Sequence, residues 1–253
     1  MTTSKKLTFG FIFLSLTGLS LVVGANMWKS SLLVKKIIVG GNRIVDTNEI
    51  LQLAHVESNQ RMYDLDLMVI RRDVGSHYFL KDVVVERDLP STLRISVAER
   101  SPVAMVNHEQ INYLDEDGVV LPHSFSKELF DLPMLTGIPT GVSLAVGSTV
   151  LHNDVMEALN ILSTAKAVNK ELYYLISEIR LRPGGDLVLF TAEGGVPVIF
   201  GNGNAPSKLV RLETFWNTVV RHRGSEYLQY VDLRYEDQVV VRWAGPPKTA
   251  RTL

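Results

Sequence analysis

From Leu7 to Trp28 the chain carries no Asp, Glu, Lys, Arg or His and is rich in Leu, Phe, Val and Ile. As a helix rising 1.5 Å per residue, that run would extend about 33 Å, matching the roughly 30 Å hydrocarbon layer of a bilayer. The pattern predicts a membrane-spanning helix. A cleavable leader and a buried core helix are the competing readings. Val23-Gly24-Ala25 supplies small residues for cleavage, with Asn26 as the mature N-terminus, although a leader's apolar stretch is usually only roughly 7–15 residues. Trp28 stands where an interfacial aromatic lies. Lys5 and Lys6 precede the run, and Lys29, Lys35 and Lys36 follow it, so charge alone does not fix its orientation.

The next segment changes period twice. Val34 to Val39 reads as a strand closed by Gly40-Gly41-Asn42. Asp46 or Thr47 then caps a helix through Ile50, Leu51 and Ala54, and a second helix starts after Asp64 and carries Leu65, Met68, Val69 and Arg72. Val83 and Val85 alternate with Val84 and Glu86. After Leu89-Pro90-Ser91, Leu93, Ile95 and Val97 alternate with Arg94, Ser96 and Ala98, the signature of a hairpin with one buried face. Strand, helix, helix, strand, strand predicts a compact α+β unit with helices covering one side of a three-stranded sheet.

Beyond Pro102, short strands and tight turns alternate: Val103 to Val106, Ile111 to Leu114 and Val119 to Leu121, separated by Asn107-His108-Glu109 and Asp115-Glu116-Asp117-Gly118. Leu132 to Gly137 is extended. A helix over Asn153 to Val168, capped by Asn153 or Asp154, aligns Val155, Met156, Leu159, Leu162 and Ala165 on one flank. A three-strand meander follows over Ile176–Leu181, Leu187–Thr191 and Val196–Phe200. Pro206 opens a helix with Leu209, Leu212, Phe215, Trp216, Val219 and Val220 at helical spacing, ending near Gly224. Strands over Tyr230–Leu233 and Val239–Trp243 finish the ordered pattern.

Composition narrows the function classes. The 253 residues hold 26 Lys+Arg against 27 Asp+Glu, a net charge of -1, which gives the molecule as a whole no general attraction to nucleic acid or anionic lipid. With no cysteine there is no disulfide, zinc–thiolate site, iron–sulfur cluster or cysteine nucleophile. The six histidines show no metal-ligand spacing, and Asp115-Glu116-Asp117-Gly118 lacks a calcium loop's closing Glu, so it reads as a solvated hairpin turn. Gly201 to Lys208 has neither the Gly-Lys-Ser/Thr ending nor the Gly-x-Gly-x-x-Gly spacing of a phosphate cradle, and there is no Gly-x-Ser-x-Gly elbow. No catalytic residue, cofactor or metal site is indicated. The unbroken Val239-Val240-Val241-Arg242-Trp243 run fits a strand buried on both faces or an edge strand awaiting a partner, and Trp243 fits either a core or an interface.

Taken in order, these segments resemble the FtsQ/DivIB family of bacterial cell-division proteins. Ile37 to Asn42 is similar to the opening strand and turn of POTRA domains. Val83 to Ala104, with Glu99-Arg100-Ser101-Pro102-Val103-Ala104, resembles the family's strand pair ending in Glu-Arg-x-Pro-x-Ala. Tyr113 to Val120 resembles its next hairpin, Leu132 to Gly137 its Leu-Pro-x-Leu-x-Gly stretch, and Tyr230 to Tyr235 its penultimate strand. The resemblance implies an α+β chain: an N-terminal transmembrane helix, a POTRA domain (β-α-α-β-β) and a mainly antiparallel β-domain with two helices. The expected divisions are a cytoplasmic stub (1–6), the span (7–28), POTRA (34–100), the β-domain (101–244) and a polar tail (245–253).

It also implies a scaffold without catalytic activity in the inner membrane at the division septum, N-terminus cytoplasmic and C-terminal domain periplasmic. Its implied partners are FtsB/DivIC-like and FtsL-like proteins, with which it helps control the septal peptidoglycan synthase, and other division proteins through the POTRA domain. The FtsB-like partner would pair with the final strand. The matching interface positions are Arg234 and Tyr235 on the penultimate strand with Val239, Val241 and Trp243 on the last; core packing for the valines and an internal salt bridge for Arg234 is the other reading. Arg180 or Arg182 is a further candidate to reach that surface, and Val39, Gly41 and Asn42 either contact other division proteins or only shape the fold. Leu89 stands where many members have tryptophan, a core exchange expected to be tolerated. The rivals are a POTRA-bearing outer-membrane assembly factor, which would need barrel strands or repeated POTRA units, and a secreted enzyme with a cleaved leader.

Overall fold

The computed structural model describes residues 3–107, 110–123 and 130–245, with side chains from residue 13 onward. Residues 1–2 and the side chains of 3–12, which cover the rest of the expected stub and the first part of the expected span, therefore lie outside the described residues, as do His108-Glu109 and most of the 245–253 tail. The chain divides into two compact units, residues 1–99 and 100–253.

The first unit opens with α1 (Thr3–Ser31). Its described side chains include large apolar ones all round the helix, with Phe13, Leu14, Leu16, Leu19, Leu21 and Val22 all exposed, and hydroxyls of Thr17, Ser20, Ser30 and Ser31 that bond back to the helix's own carbonyls. Among the described residues no helix is long and apolar enough to cross a membrane. The sheet combines β1 (Lys36–Gly40), β2 (Leu80–Asp88) and β3 (Thr92–Glu99) in the order β1-β3-β2, with β3 central, parallel to β1 and antiparallel to β2. Leu93, Ile95 and Val97 on β3 face the core, as their alternation predicts. Helices α2 (Thr47–Ala54) and α3 (Leu67–Val74) bury Ile50, Ala54, Ile70 and Val74. Asp46 caps α2, its side chain accepting from the Asn48 N–H. Asp66 caps α3 by accepting from the Met68 and Val69 N–H groups, so this helix begins later than an Asp64 start would place it and Leu65 lies ahead of it. Gly41 holds φ +90°, and a Cβ there would run into the Val97 carbonyl oxygen, which is why the turn after β1 requires glycine. Asn42 donates to the Val45 carbonyl (2.9 Å) and Thr47 Oγ1 (3.0 Å), a contact that shapes the same loop.

The second unit is one nine-stranded sheet in the order β12-β11-β10-β9-β8-β7-β4-β5-β6. Its strands are β4 (Pro102–Asn107), β5 (Ile111–Asp115), β6 (Val120–Pro122), β7 (Met134–Thr136), β8 (Ile176–Leu181), β9 (Leu187–Thr191), β10 (Pro197–Gly201), β11 (Leu228–Asp232) and β12 (Val240–Trp243). Most neighbours are antiparallel, with parallel joints at β4/β7, β7/β8 and β10/β11. Helices α4 (Asn153–Val168), α5 (Lys170–Leu175) and α6 (Ala205–Phe215) lie with this sheet, and α6 continues through a π turn (Trp216–Val220) into α7 (Arg221–Arg223). Two helices were expected here. The second is divided by the π turn, and α5 is additional, capped by Asn169, whose side chain accepts from the Glu171 N–H. His152, rather than Asn153 or Asp154, is the N-cap of α4 and makes no side-chain cap bond. Leu159 and Leu162 from α4, Leu209, Leu212 and Trp216 from the α6 run, and Ile179, Leu189, Val198 and Phe200 from the sheet share one core. Gly137, after β7, has φ +72°, and a Cβ there would collide with the Leu181 carbonyl oxygen.

Candidate partner-binding edge

β12 is the last strand of the nine-stranded sheet and, among the described residues, pairs only with β11. The register sets Asp232 opposite Val240, Val231 opposite Val241 and Leu228 opposite Trp243. One residue beyond the strand, the Ala244 N–H donates to the Tyr227 carbonyl at 2.7 Å. Hydrogen-bonding groups alternate sides along a strand, so Val240, Arg242 and Ala244 direct theirs to β11 while Val241 and Trp243 present N–H and C=O on the open side. The edge is short, and Arg242 on it is exposed, both features that restrain indiscriminate pairing.

Side chains and backbone thus divide their work. Val239, Val241 and Trp243 turn their side chains inward and pack, partly buried, against the core. Val239 immediately precedes the strand. The Arg223 guanidinium lies 4.0 Å from the Trp243 ring centroid, a cation–π contact that fixes the indole. Arg234 and Tyr235 are not on the penultimate strand; both lie in the β11–β12 connection. Asp232 ends the strand by accepting from the Arg234 backbone N–H (3.0 Å), a side-chain turn that bends the chain out of the ladder. The same carboxylate takes the Arg234 side chain at both oxygens, Nε at 3.1 Å and Nη2 at 2.8 Å, and Asp186 stands 3.5 Å from Nη1. Burial pushes the Asp232 carboxyl up, but the hydrogen bonds and charge of Arg234 outweigh it and hold the group below the usual carboxylate range. Bonding to Asp232 holds the Arg234 guanidinium above its ordinary value. Tyr235 is exposed.

Two α6 residues that sequence reasoning passed over support this connection. Arg211 Nη1 donates to the Tyr235 (2.8 Å) and Gln238 (3.0 Å) carbonyls, tying the turn to the helix. Lys208 is buried and donates to the Phe200 (2.9 Å) and Asn202 (2.8 Å) carbonyls; burial pulls its ammonium below the ordinary lysine range, and Arg211 adds to the effect. The signal for Lys208 was its place beside Leu209 and Leu212 on an apolar face. Arg180 lies on β8, with three strands between it and β12, paired to Glu178 at 2.9 Å and set over Phe190. Arg182 follows β8, in the turn where its N–H donates to the Asp186 carbonyl.

The profile of the cell division protein FtsQ/DivIB C-terminal family matches residues 104–234, and that of the FtsQ-type POTRA domain matches residues 32–100. This chain belongs to the FtsQ/DivIB family. It is similar to the cell division protein FtsQ of Geobacter sp. (strain M21), 34% identical over 200 residues that cover 78% of this chain and 71% of the relative. FtsQ of Geotalea daltonii is 30% identical over 222 residues, 88% of this chain and 78% of the relative. FtsQ of Rhodothermus marinus is 31% identical over 233 residues, 89% and 83% respectively. As an FtsQ/DivIB protein the chain is a cell-division scaffold rather than a member of a known enzyme family. The FtsQ/DivIB profile ends at Arg234, so β12 lies beyond the matched residues.

Proposed function

We propose that this chain is a bitopic inner-membrane protein of the division septum that recruits an FtsB/DivIC-like partner by strand addition on β12. Together with an FtsL-like protein, the assembly helps control septal peptidoglycan synthesis. The observation that carries this reading is the open side of β12, where Val241 and Trp243 offer main-chain donors and acceptors to an added strand. Their own side chains face inward, so selectivity on this edge falls to Arg242, Val240 and the exposed Tyr235 beside it. Arg234 acts within the chain, bracing the turn on Asp232. The POTRA domain supplies a second docking surface for other division proteins.

Val241→Pro tests the edge directly. Proline removes one outward N–H but leaves the bonds to β11, and edge strands tolerate it there. Co-purification of the FtsB-like partner with the full-length variant should fall at least about tenfold, the equivalent of one lost ladder bond plus the steric effect of the ring. Wild-type recovery of the partner would refute strand addition.

The membrane reading is supported by the uncharged Leu7–Trp28 run and by the apolar side chains that α1 exposes on every face. Alkaline carbonate washing of membranes should leave the chain in the pellet, and protease added to spheroplasts should digest everything after Trp28. Release into the wash, or full protection in spheroplasts, would refute a single span with its C-terminal part outside.

A further inference from the structure

Between α1 and β1, residues 32–34 pair with the loop that links α2 and α3. The Met62 N–H donates to the Leu32 carbonyl (2.8 Å), Val34 N–H to Gln60 (2.9 Å), and Asn59 N–H to Val34 (2.8 Å), while Leu33 bridges Arg61. Leu32 and Val34 are buried. The segment that follows the end of α1 is therefore hydrogen-bonded into this unit through the loop between α2 and α3.

The parallel pairing of β1 with β3 then decides what lies at that end. Lys36 is opposite Thr92, so the β2–β3 turn sits at the start of β1, and both Lys35 (2.8 Å) and Lys36 (3.2 Å) donate their N–H to the Ser91 carbonyl. Leu89 and Pro90 precede that point in the turn, ahead of the first β1–β3 pair. Leu89 is 43% exposed at the tip, which corrects its reading as a core residue. This end of the unit carries four exposed cations: Lys35 and Lys36, whose N–H groups bond Ser91, Arg61, which bridges Leu33, and Lys29 in the last turn of α1. The loop also carries exposed Glu57 and Asp64, while Asp88 is taken by Arg94 at 2.8 Å. Tyr63 lies between Lys29 (5.6 Å) and Arg87 (5.2 Å), and Arg87 is itself pinned to the Met62 and Leu65 carbonyls.

We propose that this end of the first unit is a membrane-contact surface, its cations meeting anionic phospholipid headgroups and Leu89 entering the interface. The proposal rests on the membrane reading above. The headgroup layer is about 5–7 Å deep on each side of the hydrocarbon, and Arg61, opposite Leu33, lies about 7 Å of extended chain beyond α1. Cations, an exposed Trp28 and Tyr63 at that depth are what an interface with anionic lipid selects. The contact fixes how the POTRA unit stands on the bilayer, which a lone helix leaves free to rotate.

The chain has no cysteine, so single labels are clean. Full-length Leu89→Cys, labelled with a polarity-sensitive nitrobenzoxadiazole dye, is placed in nanodiscs of phosphatidylcholine with or without phosphatidylglycerol. Emission at position 89 should shift to the blue and be quenched by nitroxide lipid when phosphatidylglycerol is present. A Val84→Cys label, about 16 Å further along the same strand, should report water in both discs. Adding K35E and R61E should return the position-89 signal to its value in neutral lipid. Water-like emission at 89 in both discs, an unchanged signal with K35E and R61E, or an equal response at 84 each overturns the proposal. A chain retained in the disc but silent at 89 refutes the headgroup contact alone, whereas a chain that never stays in the disc refutes the membrane reading with it.

Discussion

Glu99→Ala is expected to destabilise the first unit by about 3–5 kcal/mol, a large share of what a small domain has. The Glu99 carboxylate accepts from three successive backbone N–H groups of the loop between β1 and α2: Arg43 and Ile44 at 2.9 Å and Val45 at 2.8 Å. Ile44 and Val45 are buried, so their N–H groups cannot turn to water once the carboxylate is gone, whereas that of Arg43 can. An ionised acceptor makes each of these bonds stronger than a neutral one would be. Glu99→Gln keeps one carbonyl oxygen in place and should cost about half as much. Urea unfolding of the detergent-solubilised full chain would read the loss in the first unit's transition, and hydrogen exchange would show amides 43–45 losing protection first. An unchanged midpoint with intact protection at those amides would show that the loop is held by other contacts.

The Glu-Arg pair at 99–100 shows what sequence reasoning reached and where it stopped. Both residues were singled out by motif, yet nothing in their spacing says that Glu99 staples a loop of its own unit while Arg100 bonds Asp115 in the other. Alternation located Leu93, Ile95 and Val97 on a buried face because period-2 patterning depends only on neighbours in sequence. Which strands lie side by side is another matter: β1 beside β3 and β7 between β4 and β8 are parallel joints whose partners are far apart along the chain. The Tyr230 to Tyr235 stretch resembles a penultimate strand along its whole length. Only the Asp232 side chain, by capturing the Arg234 N–H, ends it. Leu89 reads as core only because it stands where many members of the family have tryptophan; as a turn residue between two strands it has little to pack against. The six-residue α5 is too short to show a helical period.

Asp115→Ala should be the most damaging single exchange in the second unit, costing about 3–5 kcal/mol. The Asp115-Glu116-Asp117-Gly118 turn is a hairpin turn as its sequence suggests, but its first carboxylate is buried rather than solvated, with the residue 1% exposed. Oδ1 accepts from the Asp117 (3.0 Å) and Val119 (2.7 Å) N–H groups, and Oδ2 takes Arg100 Nη1 at 2.7 Å. Alanine would leave two turn amides without an acceptor and the Arg100 guanidinium, 19% exposed, with only Asp117 at 3.5 Å. Arg100→Ala removes the cation but leaves both amides bonded to the carboxylate, so it should cost less, about 2 kcal/mol. In the double variant no buried charge is left unpaired, and its cost should fall short of the sum of the two. A denaturation cycle on the full chain would measure this. If Arg100→Ala proves the costlier exchange, or the two effects simply add, the turn is held by its backbone and the buried pair contributes little.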